Sequence, residues 1–210
     1  MRARALILAL ATAALASWAT PASATTIKTL AGATLASNSS FTGTLKAGTV
    51  WHIEGGSGGD FDCASSALGG QLGINPAIPS VTASLTALTV GSCTDTIPFL
   101  TLSSVTTNVG TGSAAKPAAF TYLGSGSSLT LLGRIEFTLT FASGSTCVYE
   151  VTASGATATH DSNTSPWNNE YVFTDVPMTK TGGTYGFCPT VSWSAIYVLT
   201  SGGAGITIQP

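Results

Sequence analysis

The sequence predicts an all-β protein. The expected form is one antiparallel β-sandwich of about ten short strands, Ig-like or Greek-key in its connections, with two disulfides. Three observations lead there. Runs of alternating apolar and polar residues recur along the chain, separated by Gly, Ser, Asn and Pro. Thr, Ser and Gly supply 34, 25 and 24 of the 210 residues. Thr joins a β-branched stem to a hydroxyl that faces water readily. The cysteines number 4, an even count that suits cross-links in an exported domain.

The first segment reads as an address. Arg2 and Arg4 precede the apolar run from Ala5 to Ala16, and Ala22-Ser23-Ala24 forms an A-x-A cleavage site after Pro21. Residues 1–24 are therefore expected to be a signal peptide and residues 25–210 a single secreted, extracellular domain. No later stretch is apolar for the ~18 residues that a membrane helix needs, so no transmembrane anchor is expected once the leader is gone.

The strands follow in order. Weaker alternation predicts them at 45–53, 81–90, 99–107, 119–123, 155–161 and 170–176. The clearest is Arg134-Ile-Glu-Phe-Thr-Leu-Thr-Phe141, with Ile135, Phe137, Leu139 and Phe141 on one face. Gly144 turns the chain, and Cys147-Val-Tyr-Glu-Val-Thr-Ala153 returns as the second arm of a hairpin. Val191, Trp193, Ala195, Tyr197 and Leu199 share a face of another strand, and Gly202-Gly203 leads to a last one at Ile206-Thr-Ile208. Helical spacing appears only at 64–72, where Gly69-Gly70 would break a helix.

The cysteines are Cys63, Cys93, Cys147 and Cys188. Three pairings are open, and Cys63–Cys93 with Cys147–Cys188 is preferred because each pair lies within one half of the chain. The segments Cys147-Val-Tyr-Glu-Val and Phe187-Cys188-Pro189, followed by Ala195-Ile-Tyr-Val-Leu-Thr200, resemble the ends of secreted β-sandwich proteins of high-GC actinobacteria. The resemblance covers the last third of the chain and carries no activity with it. The composition is also similar to that of neocarzinostatin-type chromophore carriers, whose chains are shorter and whose cysteines are closer together.

Composition also excludes functions. Only 8% of residues are charged and the net charge is -2, so no basic patch exists to neutralise phosphates and nucleic acid is not an expected partner. No cofactor motif is present. No G-x-S-x-G elbow or H-E-x-x-H helix occurs, and no catalytic residues are assigned. The histidines are His52 and His160. Gly55-Gly-Ser-Gly-Gly-Asp60 matches the fixed letters of a calcium-binding repeat, but one copy supplies half a site, so no metal is expected. Asp60 and Asp62 are the candidates if one binds. The remaining candidate site is the segment His160-Asp161 to Tyr171. It gathers Trp167, Asn168, Asn169 and Tyr171, an aromatic platform among amides of the kind that receives a sugar. The leading expectation is a non-enzymatic extracellular or cell-surface protein, with a glycan, a small apolar ligand or another copy of itself as partner. A carbohydrate-binding or carrier module and a secreted hydrolase are the alternatives.

Overall fold

The computed structural model describes residues 23–55, 59–95, 101–109, 116–123, 126–151, 155–160 and 168–210. The leader up to residue 22, Asp161 and Trp167 lie outside the described residues. Fourteen strands, all antiparallel in their pairing, run through the rest. They are β1 (Thr26–Thr29), β2 (Ser40–Leu45), β3 (Trp51–Glu54), β4 (Phe61–Leu72), β5 (Ser80–Asp95), β6 (Leu102–Asn108) and β7 (Lys116–Tyr122). The second half holds β8 (Ser127–Leu131), β9 (Glu136–Phe141), β10 (Thr146–Val151), β11 (Ala156–His160), β12 (Glu170–Gly182), β13 (Val191–Ser201) and β14 (Ala204–Gln209). Among the described residues no helix is long and apolar enough to cross a membrane.

The two walls of the expected sandwich are continuous. Following hydrogen bonds, β13 leads to β2, β4, β5, β7, β8, β11 and β12, and β12 pairs with β13 again. This ring removes the free edges that an open sheet would expose. Four strands are long enough to continue beyond it: β4, β5, β12 and β13, with 12, 16, 13 and 11 residues. Their far halves meet other neighbours. β3 fills the gap between β4 and β13, β10 pairs with β12, and β9 and β6 follow. β6 is tied back to the far half of β5, where Thr107 Oγ1 donates to Leu88 O and Leu102 N to Asp95 Oδ2. β14 and β1 close one end, where Asn75 holds Ile27 by its backbone N–H and C=O.

Side chains on the inner faces pack one continuous core. β13 alternates as the sequence predicts, with Val191, Trp193, Ala195, Tyr197 and Leu199 all buried. Trp51 stacks on Trp193 at 5.7 Å and on Phe137 at 5.6 Å, and Phe173 lies 4.9 Å from Trp193. Space for these rings comes partly from glycine. A Cβ on Gly70 would meet the Phe41 ring and lie 2.5 Å from Ser84 O, so the strand accepts no side chain there.

One ambiguous segment is resolved and one expectation is corrected. The segment 64–72, whose helical spacing Gly69-Gly70 was expected to break, lies within strand β4. Ala64 and Ser65 are both exposed, Ser65 pairs with Gly91 next to Ser92, whose φ is 54°, and burial steps from Cys63 to Ser66, Leu68 and Gly70. A strand that changes phase leaves an i, i+3 step that imitates a helix. The strand expected at 45–53 is broken in two. Gly48, with φ 78°, and a Thr49 N–H donating to Lys46 O turn the chain out of the wall between β2 and β3.

Both preferred disulfides are present, Cys63–Cys93 and Cys147–Cys188. The first joins residues directly opposite on β4 and β5. The second ties β10 to the loop before β13, where Tyr149 Oη donates to Pro189 O at 3.0 Å.

Burial also shapes the response to alkali. It pushes the Tyr149 hydroxyl up to about 12, and raises Tyr171 and Tyr197 further still. These tyrosines stay neutral in the fold while the unfolded chain ionises near pH ~10. Their contribution is complete below that pH and lost as pH rises toward 12. Tyrosinate absorbance should therefore rise together with the loss of β-sheet circular dichroism. A full tyrosinate signal from an intact sheet would contradict this burial.

Candidate functional site

Of the segment that the sequence singled out, residues 161–167 lie outside the described residues, and the described remainder is built into the wall. His160 ends β11 and is 2% exposed. Its Nδ1–H donates to Glu170 O at 2.9 Å, and Nε2 accepts from Thr207 Oγ1 at 2.9 Å and from Ile208 N at 3.5 Å. Its ring lies 4.4 Å from that of Tyr171, nearly parallel. His160 thus links β11 to β14, and both ring nitrogens are engaged. Tyr171 points into the core and is 0% exposed, so it offers no face to a sugar. Asn169 Nδ2 donates to Leu199 O and Asn168 Oδ1 accepts from Glu170 N, which makes these amides turn and strand fasteners.

Tyr171 Oη is buried with no hydrogen-bond partner among the described residues. An unmade buried hydrogen bond destabilises by about 1–3 kcal/mol. Tyr171→Phe should accordingly leave stability within about 1 kcal/mol of the parent chain, or raise it. Denaturant unfolding reads this directly, and a loss above about 2 kcal/mol would show that the hydroxyl is engaged.

Within the calcium-like segment, residues 56–58 lie outside the described residues. Asp60 Oδ1 accepts from Gly55 N at 3.3 Å, and Asp62 turns to a histidine. Among the described residues no group of three or more His, Cys, Asp or Glu could hold a metal ion.

The polar group that the structure does assemble is on the outer wall. β3 and β4 pair so that His52 is directly opposite Asp62, and β13 places Ser194 directly opposite His52 on its other side. Trp51 and Ile53 face inward, so His52 must face outward; Phe61 and Cys63 do the same for Asp62. His52 Nδ1 and Asp62 Oδ1 are 2.7 Å apart. Ser194 Oγ accepts from Asp175 N at 2.9 Å and donates to Asp175 Oδ1 at 3.2 Å. Asp175 has φ 47° and stands in a bulge of β12 between Phe173 and Val176. The order Asp62, His52, Ser194 matches the members of a nucleophilic triad, but no hydrogen bond joins His52 to Ser194, whose hydroxyl is committed to Asp175.

Beside this row is an open depression of about 400 Å³. Thr49 and Val50 of the β2–β3 loop line it together with Val172 of β12, Ile196 of β13, His52 and Ser194. A second, open depression of about 520 Å³ lies on the wall of β8 and β11 near Leu123, Ser128 and Thr159.

Comparison with known proteins finds no matching protein family, no matching curated relative and no matching solved structure. The function has to be read from the molecule itself.

The sequence reading passed over the His52–Asp62 pair. Its signal was nonetheless present: two short alternating runs flank the glycine-rich stretch 55–59, and a hairpin there puts the two outward residues side by side.

Proposed function

We propose that this chain is an exported, non-enzymatic β protein that works through its outer wall, binding or coating a surface outside the cell. The observation that carries the reading is the chemistry of that wall. Ser80, Thr121, Ser128 and Thr159 stand in one cross-strand row over β5, β7, β8 and β11, and Thr82, Ala119, Thr130 and Thr157 stand in the next. Neither row contains a charge, and Thr130 and Thr157 hydroxyls meet at 3.1 Å. The inner faces are given over to packed apolar and aromatic side chains, so recognition falls to the outside. Both disulfides are compatible with an oxidising compartment, and the features of residues 1–24 support export.

Retention on insoluble polysaccharides and cell-envelope fractions tests the proposal. Binding through neutral hydroxyls should survive high salt, since no ion pairs are screened. Turnover on a panel of esters, peptides and glycans, with no retention on any surface, would replace this reading with a hydrolase. The carbohydrate-binding alternative keeps its own test, since it requires that Trp167→Ala abolish glycan-array signals.

A further inference from the structure

We infer that the rim formed by the β4–β5 loop and the end of β7 inserts into the interface of a lipid bilayer. The inference rests on the reading of an exported, surface-binding protein above and names the surface that one end of the molecule meets.

The loop has its polarity inverted. Residues 73–79 join β4 to β5 with the sequence Gly-Ile-Asn-Pro-Ala-Ile-Pro. A surface loop ordinarily turns its polar side chains to water and its large apolar ones inward. Here the one polar side chain, Asn75, is buried. Its amide accepts from Ile27 N at 2.8 Å and donates to Ile27 O at 2.9 Å and Leu35 O at 2.7 Å. Ile74 and Ile78 are 73% and 66% exposed, with Pro76 and Pro79 exposed beside them. Leu123, just past β7, adds a third large apolar side chain, 63% exposed. Ser80 is directly opposite Thr121, and Thr25 Oγ1 donates to Pro79 O and accepts from Tyr122 N, so Ile78 and Leu123 leave the wall at the same edge. Thr25 and Ala77 also exchange backbone hydrogen bonds. The rim is thus shaped before it meets anything, and little ordering remains to be done on binding.

Three observations select a bilayer as the occupant. Residues 73–82 and 117–131 contain no Asp, Glu, Lys or Arg, so no charge has to leave water as the rim sinks. One pleat below the rim, the hydroxyls of Ser80, Thr121 and Ser128 stand at headgroup depth. Thr25 is the first residue after the expected cleavage site and is fastened inside this rim, so the leader that addresses the chain to the membrane presents this end of the fold first. A second copy fits less well, because a stable protein interface takes about 20–30 residues a side and the rim is one loop and one strand end.

The mature chain should float with phosphatidylcholine vesicles, and high salt should not release it. Ile74→Ser and Ile78→Ser should each weaken partition about tenfold, the loss of one apolar side chain from lipid. Both side chains face water in the free protein, so denaturant unfolding should be unchanged and shows that the variants fold. Phe187→Ser is the control. Phe187 is 78% exposed but lies between β12 and β13, at the opposite end of the long strands, and its loss should leave partition unaltered. A spin-labelled lipid should broaden the methyl NMR signals of Ile74, Ile78 and Leu123 and spare those of buried Ile53. No flotation, equal losses with Phe187→Ser, or a lipid-free dimer that Ile78→Ser abolishes would overturn the inference. Retention on insoluble polysaccharide is measured on the same variants. If the parent chain is retained but does not float, the rim inference falls and the wall reading stands. If it floats through the rim and is not retained, the wall reading falls alone.

Discussion

Trp193→Ala should lower the stability of the fold by about 3–5 kcal/mol, the range for removing a large buried aromatic ring. Trp193 is 1% exposed and touches three aromatic partners, Trp51, Phe137 and Phe173. It is also on β13, which belongs to both halves of the molecule. Neighbouring rings are bulky and strand-bound, so the cavity cannot collapse well, and the upper part of the range is expected. Trp193→Phe is the control. It keeps an aromatic face and removes an indole N–H that has no partner among the described residues, so it should cost clearly less. Guanidinium unfolding compares them. Equal losses for both variants would mean that ring size, and not the stack, is what the site requires.

Cys147→Ser should cost about 2–5 kcal/mol. The closed loop spans 41 residues, for which loop-closure entropy alone gives about 4 kcal/mol. The native side of the balance should change little. Tyr185 N–H donates to Thr146 O, and Tyr149 Oη to Pro189 O, so the loop before β13 keeps other fastenings. Most of the loss should thus come from a freer unfolded chain. Cys63–Cys93 closes its own loop on adjacent strands and should persist in the variant, which peptide mapping without reductant can verify. A loss below about 1 kcal/mol would show that the unfolded chain is constrained by something else.

How much of this was legible in the sequence depends on strand phase. β9, β10 and β13 keep one phase throughout and were read almost to their ends. β12 was expected to stop at Val176, yet it runs to Gly182. Thr174 and Asp175 are both exposed there, and the alternation resumes one step out of phase. β5 slips likewise at Thr86 and Ala87, opposite the irregularity between Gly69 and Gly70. Period-2 reasoning sees each half of such a strand and misses the join. β8 was missed for a different reason: Ser127–Leu131 is short and carries only Leu129 and Leu131 as apolar signals. The disulfides were legible because each joins cysteines close in the chain, 30 and 41 residues apart. The His52–Asp62 pair was not, because its meaning appears only once register is known.

The strands β4, β5, β12 and β13 run through both halves like staves through two hoops. Neither half can open without breaking a strand that the other half needs. Local opening is therefore confined to what only one half owns, such as β1 with β14 or β6. Amide protons in the middle of β12 and β13 should exchange only through complete unfolding, and should share a single exchange free energy. A molecule with so little freedom along its length cannot work by moving one half against the other. Whatever it meets, it meets as a rigid surface whose hydroxyl rows keep their spacing.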